Sequence, residues 1–174
     1  MELRVAGITR ESVVDGPGLR LVVFVQGCPH HCPECHNPQT HDPSAGQLMD
    51  TSEIIRLVEQ AHLIRGVTFS GGEPFLQTEA LTQIAIAAKK LGLNIVTYTG
   101  FVFEELLRLT VSKPGILALL EQTDLLIDGP YKKEERDLRL AFRGSRNQRL
   151  IDVPKSLALG NVVLWQDPYL KSFS

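Results

Sequence analysis

Leu19-Arg20-Leu21-Val22-Val23-Phe24-Val25-Gln26 runs directly into Gly27-Cys28-Pro29-His30-His31-Cys32-Pro33-Glu34-Cys35-His36-Asn37. The first segment is a near-continuous apolar run rich in β-branched residues. That is the pattern of a strand buried on both faces, as in a parallel sheet. The second is a loop that holds all three cysteines of the chain, spaced C-x3-C-x2-C. Outward from this point the same succession of strand, polar or glycine-rich loop and helix recurs. Gly66–Phe69 is a short strand ending in Ser70-Gly71-Gly72-Glu73-Pro74. Leu93–Tyr98 is a strand ending at Thr99-Gly100, and Asp124–Asp128 is one ending in Gly129-Pro130-Tyr131.

Helices fill the intervals. Asp50 is placed as N-cap, with Glu53 at N3, of a helix running to about Ala61. Thr78 or Glu79 through Leu91 is a strong helix stopped by Gly92. Phe103–Leu109 and Pro114–Gln122 read as helices, with Pro114 in a first turn. Arg149–Val153 and Asn161–Trp165 are predicted as late strands around a short helix at about Lys155–Leu159. Alternation of this kind argues for an α/β fold with a parallel sheet and helical crossovers. In such folds the chemistry gathers at the C-terminal ends of the strands. Four loops, at Cys28–Cys35, Ser70–Pro74, Thr97–Gly100 and Asp128–Tyr131, are therefore expected on one rim.

The 174 residues suit a single domain over 1–174. A hydrophobic fraction of 43% and a charged fraction of 22% are ordinary for a globular protein. Net charge is −2 with no basic run, which argues against a nucleic-acid partner. Lys and Arg interrupt every apolar run, so no membrane span is expected. The start Met1-Glu2-Leu3-Arg4-Val5 lacks a signal-peptide pattern. The expected setting is the reducing cytoplasm, where clustered thiols serve metal or redox chemistry.

Iron–sulfur clusters are usually held by four thiolates. Three thiolates leave one iron of a four-iron cubane without protein sulfur. An incomplete ligand set reads as catalytic, because the open position takes substrate or cofactor. The alternative is a structural Cys3His zinc site using His30, His31, His36 or His41. Zinc sites, however, usually pair ligand clusters separated along the chain. Ser70–Pro74 is either a tight turn or a place where backbone approaches a ligand closely. Arg20, after Asp15-Gly16-Pro17-Gly18, is either part of a plain turn or a partner for an anion. Arg143–Arg149 is either a solvated loop or a donor-rich surface for carboxylate capture or docking.

The cysteine spacing followed by Ser70-Gly71-Gly72-Glu73-Pro74 resembles the radical S-adenosylmethionine (SAM) superfamily. Val14–Arg20 (VDGPGLR), Leu125–Tyr131 (LLIDGPY) and Phe142–Val153 (FRGSRNQRLIDV) narrow the resemblance. They are similar to the branch that activates anaerobic ribonucleoside-triphosphate reductase. The resemblance implies a short partial (β/α) barrel of parallel strands with helical crossovers. It implies a [4Fe–4S] cluster on Cys28, Cys32 and Cys35, with SAM chelating the open iron. Reductive cleavage of SAM would then give a radical that takes hydrogen from a glycine of the partner reductase. A flavodoxin- or ferredoxin-type protein would supply the electron.

By position, the resemblance assigns Gly71, Gly72 and Glu73 to the methionine amino group. It brings Thr97, Tyr98, Thr99 and Asp128 toward SAM. Arg143 and Asn147 fall in a motif that contacts SAM or the partner. Glu34 departs from the superfamily, where an aromatic residue often packs near adenine, so support for adenine passes to the backbone around His36 and Asn37. Gly72→Val is expected to spare the cluster and block SAM. The rival functions are an activator of a pyruvate formate-lyase type enzyme, a 7-carboxy-7-deazaguanine synthase-like enzyme, and a non-catalytic zinc or electron-transfer module.

Overall fold

The computed structural model describes residues 1–167. Its strands are β1 (Glu2–Ser12), β2 (Arg20–Val25), β3 (Gln47–Asp50), β4 (Gly66–Gly71), β5 (Asn94–Tyr98), β6 (Leu125–Asp128) and β7 (Arg149–Asp152). Its helices are α1 (Thr51–Gln60), α2 (Thr78–Lys90), α3 (Phe103–Leu109), α4 (Pro114–Gln122) and α5 (Val153–Leu159). The seven strands form one sheet in the order β3-β1-β2-β4-β5-β6-β7. The sheet is open, with β3 and β7 at its edges, so closure into a barrel is not seen.

The central strands β2, β4, β5 and β6 are parallel, as the alternation predicts. The flanks are not. β1 lies antiparallel to both β2 and β3, and β7 antiparallel to β6. The reason is connection length. Only residues 13–19 join β1 to β2, too few for a crossover, which needs a dozen or more. The long segment from β6 to β7 holds no α-helix and returns as a hairpin-like excursion. β1 and β3 have no counterpart in the predicted elements.

Alternation along the strands sorts two faces. Leu21, Val23, Val25, Val67, Phe69, Ile95 and Leu126 enter the main core. There they meet Ile54 and Val58 of α1, Leu81, Ile84, Ala85 and Ala88 of α2, and Leu119 and Leu120 of α4. Their neighbours Val96, Leu125 and Ile127 form a smaller cluster with Tyr98, Leu150 and Trp165 on the opposite face. Asp50 caps α1 by accepting from Ser52 N at 2.8 Å. The predicted strand at Asn161–Trp165 shrinks to a single bridge between Leu164 and Ile151. Ser156 Oγ takes the Val163 N–H at 2.8 Å, which removes a donor from any longer ladder.

Arg20 opens β2 at the end of the sheet away from the cysteines, and it is fully buried. It meets no anion there; its partners are neutral oxygens. Nε donates to Thr68 Oγ1 (2.7 Å), Nη1 to Pro17 O (2.8 Å), and Nη2 to Val67 O (3.1 Å) and Asn94 O (3.2 Å). One guanidinium thereby joins three strand starts to the turn at 13–19. Burial lowers its pKa to about 10, so it remains charged at neutral pH. Arg20→Ala is expected to cost about 2–4 kcal/mol, less than four charged hydrogen bonds would suggest, because the cation's desolvation is also removed. Urea unfolding with an unchanged slope would show this as a lower midpoint.

Candidate functional site

The C-terminal ends of the parallel strands surround a cavity of about 710 Å³. Cys28, Cys32, Cys35, His36 and Asn37 form one wall. Ser70, Gly71 and Gly72 line another, and Tyr98, Thr99 and Gly100 a third. Gly129 and Tyr131 continue the wall toward the segment 137–144. The four strand-end loops thus converge, as the topology predicts. The volume lies within the usual range of about 300–1,000 Å³ for small-molecule sites.

The cysteine loop is held at its base by Gly27 N donating to Thr40 O (2.7 Å) and Cys28 N to His41 O (3.2 Å). All three thiols are unpaired and half-buried. Burial pushes the Cys28 thiol above its ordinary pKa, and the thiolate is the form that binds metal. Among the described residues no three His, Cys, Asp or Glu side chains cluster as ligands of a single metal ion.

Gly71 and Gly72 are required by the neighbouring backbone as well as by the cavity. Gly71 has φ +92°, and a Cβ there would come within 2.7 Å of Val25 N and O. A Cβ on Gly72 would overlap the carbonyl of Gly27, the residue before Cys28. Two main-chain bonds seal this contact: Gly72 N to Val25 O and Glu73 N to Gly27 O, both 2.8 Å.

Three of the strand-end residues expected at SAM do not line the cavity, nor does Asn147. The Glu73 side chain is fully buried. Its carboxyl group accepts from Phe75 N (3.1 Å), Gly100 N (2.9 Å) and Thr99 Oγ1 (2.9 and 3.0 Å), and is hydrogen-bonded to His30 Nε2 (2.7 Å). Thr97 faces the helices, with its hydroxyl 2.9 Å from that of Thr123. Asp128 accepts from Phe103 N (2.8 Å), at the start of α3, and from Arg149 at 3.1 and 2.6 Å. These bonds to Asp128, together with those to Glu104, raise the Arg149 pKa above its ordinary value.

Within the segment Arg143–Arg149 only Arg146 is exposed; the rest is at least partly buried and tied to the loops around it. Arg143 Nη1 donates to Gln148 O, and its Nε is buried without a partner beside the cavity. Asn147 Nδ2 donates to Pro130 O (2.7 Å), and Gln148 Nε2 to Gly129 O (3.1 Å). Tyr98 Oη donates to Phe142 O (2.5 Å), fixing the segment to β5. Burial raises the Tyr98 pKa well above the ordinary phenol range. Glu34 turns outward to an exposed ion pair with Lys133 (2.6 Å). Behind it the His36 ring lies 4.9 Å from the Tyr131 ring, centroid to centroid. Tyr131, Phe24, Val13 and Val14 are lining residues that the sequence reading did not single out. Of these, Tyr131 and Val14 sat inside quoted motifs and Phe24 inside the quoted strand, where it was read only as core; Val13 had no such signal.

The profile of a family described as a 4Fe-4S single cluster domain matches residues 14–151. The chain belongs to this family. The cluster, and not the zinc alternative, is therefore its metal group, and three thiols on one wall of an open cavity suit it. The anaerobic ribonucleoside-triphosphate reductase-activating protein of Enterobacteria phage T4 is 34% identical over 145 residues, 79% of this chain and 86% of that protein. The pyruvate formate-lyase 1-activating enzyme of Escherichia coli (strain K12) is 36% identical over 160 residues, 88% of this chain and 62% of the enzyme. The chain spans less than two thirds of that second relative. The crystal structure of QueE from Escherichia coli aligns with a TM-score of 0.44 at 18% identity, covering 57% of this chain and 53% of that one. The resemblance of the cysteine spacing to the radical SAM superfamily is borne out.

For this 4Fe-4S domain the contact of Gly72 with Gly27 changes what Gly72→Val should do. The added side chain must displace the base of the cysteine loop, at an overpacking cost of about 1–3 kcal/mol. Iron content after anaerobic reconstitution should fall together with the melting temperature. Full iron content in the variant would show that the two backbones can part without consequence.

Proposed function

We propose that the protein is a radical SAM activase. In this reading it cleaves SAM reductively at a [4Fe–4S] cluster and installs a glycyl radical on anaerobic ribonucleoside-triphosphate reductase. The observation that carries this is the cavity, where three thiols face the Gly71–Gly72 backbone beneath an exposed apolar rim. The relationship to the reductase-activating proteins supports the choice of partner. When bound, the reduced cluster supplies one electron to SAM, giving methionine and a radical that takes hydrogen from a glycine.

The chain's own residues supply binding, orientation and exclusion of water. Cys28, Cys32 and Cys35 hold the cluster. The carbonyls of Gly71 and Gly72 take the methionine amino group, close to the thiols because neither residue carries a Cβ. Thr99 and Tyr98 close the wall beside SAM. The His36–Tyr131 ring pair supports adenine in place of the side chain at Glu34, with Asn37 beside it. Arg143, with an unpartnered buried Nε, faces the cofactor's carboxylate. Glu73, Thr97 and Asp128 act from behind the wall, by positioning.

The partner enters over the rim. Val13, Val14 and Leu138 are 68%, 70% and 83% exposed, and all three line the cavity. Exposed apolar groups around a site mark a macromolecular interface. A peptide loop of the reductase would cover them and shut out water. The open seven-stranded sheet is read as the partial (β/α) barrel of a single radical SAM domain over 1–174. A flavodoxin- or ferredoxin-type protein is the electron donor, and the cytoplasm is the setting in which the thiols stay reduced. Among the described residues no helix is long and apolar enough to cross a membrane.

Anaerobically reconstituted protein should hold about four irons per chain and change its electron paramagnetic resonance spectrum on addition of SAM. Alanine at any one of Cys28, Cys32 or Cys35 should abolish SAM cleavage. Stoichiometric zinc without iron would overturn the assignment.

The rim is tested separately. Val14→Asp with Leu138→Asp should leave SAM binding intact while radical yield on the reductase falls at least about tenfold, as loss of apolar interface anchors does. Efficient activation of pyruvate formate-lyase, with none of the reductase, would move the assignment to the lyase activators.

A further inference from the structure

We infer that His30 is a positioning residue. Through the buried carboxyl group of Glu73 it latches the cysteine loop to the loops after β4 and β5, and so sets the spacing between the three thiols and the backbone that faces them. The inference rests on the proposed cluster-and-SAM reading of the cavity and adds to it a residue that acts through another.

His30 lies between Cys28 and Cys32. Its Nε2 is 2.7 Å from Glu73 Oε2, and the two side chains are 17% and 0% exposed. The same Oε2 accepts from Gly100 N (2.9 Å), and Thr99 Oγ1 reaches both carboxyl oxygens. The His30 ring stands edge-on to Phe101 with centroids 4.6 Å apart. Gly100 passes so close beneath the ring that a Cβ there would overlap it. Phe101 N donates to Thr99 Oγ1 (3.1 Å), which completes the β5–α3 side of the junction.

Among the described residues, two side chains between Cys28 and Cys35 bond outside their own loop: His30 to Glu73, and Glu34 to Lys133. The second is an exposed ion pair, which contributes little. The first is buried, where a carboxyl group is tolerable only while its donors stay in place. Removing one donor frees the carboxyl group to shift toward the others, and the cysteine loop loses its register with Gly71–Gly72. Outer-shell partners of metal ligands act in this way, and their loss typically weakens binding by about 10- to 100-fold.

The test compares His30→Leu, His30→Gln and Glu73→Gln in the full chain. Leucine removes the hydrogen bond while filling the space, and glutamine offers an amide nitrogen where Nε2 lies. Amide hydrogen exchange is followed over Gly27–Asn37 and Thr99–Phe101. Iron content and SAM affinity by spectroscopic titration are measured on the same samples. His30→Leu and Glu73→Gln should speed exchange in both segments and weaken SAM binding at least about tenfold, and His30→Gln should restore most of both. Unchanged exchange at Thr99–Phe101 in His30→Leu overturns the latch. Loss of SAM binding in Glu73→Gln with none in His30→Leu also overturns it, because Glu73 would then touch SAM itself. If His30→Leu does not fold, His30→Gln as disturbed as Glu73→Gln overturns the latch, and near-normal behaviour of His30→Gln alone supports it. A wild-type chain that takes up neither iron nor SAM defeats the proposed function, while the exchange data still decide the latch.

Discussion

The carboxyl group of Glu73 is buried with hydrogen-bond donors from three directions, and the geometry of the cavity depends on it. Phe75 N belongs to its own turn, Thr99 and Gly100 to the end of β5, and His30 to the cysteine loop. Each strand-end loop would be mobile alone, as connections at a sheet edge usually are. A buried acceptor with several donors converts their separate freedoms into one arrangement, because no loop can move without leaving a polar group unsatisfied. The main-chain bond from Glu73 N to Gly27 O ties the same residue to the root of the cysteine loop.

The glycines before Glu73 make that junction possible. Gly72 lets two backbones lie closer than a Cβ would permit, and Gly71 turns the chain at φ +92° to reach them. A segment that looks designed for a ligand is thus first a contact between two loops. The two roles are compatible, since the edge of the same backbone faces the cavity. At the far end of the sheet Arg20 does comparable work with neutral oxygens, fastening the starts of β2, β4 and β5 to the turn at 13–19. The sheet is therefore pinned at both ends by a buried ionisable side chain. One of them shapes the site; the other serves the fold.

A second buried hub, Asp128 with Arg149, joins the end of β6 to the start of α3 and to β7. It carries the long excursion 129–148 back over the cavity, where Tyr98, Gln148 and Asn147 fasten it. That excursion brings Tyr131, Arg143 and Leu138 to the site. It also leaves an apolar rim open to solvent, which a cofactor alone would not cover.

Short apolar, β-branched runs and helix-period patterns in single segments determined the four parallel strands and the helices between them. The spacing C-x3-C-x2-C, with no fourth cysteine, located the metal group and favoured an iron–sulfur cluster over zinc. These are local properties, written in neighbouring residues. The antiparallel strands β1 and β3 were not legible, because their side chains alternate too weakly and their pairing is set by distant partners. Tertiary structure alone decided which polar residues at the strand ends face the cavity. Thr97, Glu73 and Asp128 share their loops with cavity-lining neighbours, yet their side chains point to the helix side or into a junction. One residue of shift along a strand reverses its face, and a buried carboxyl group goes where donors from other loops await it. Neither fact is carried by the order of residues within any one loop.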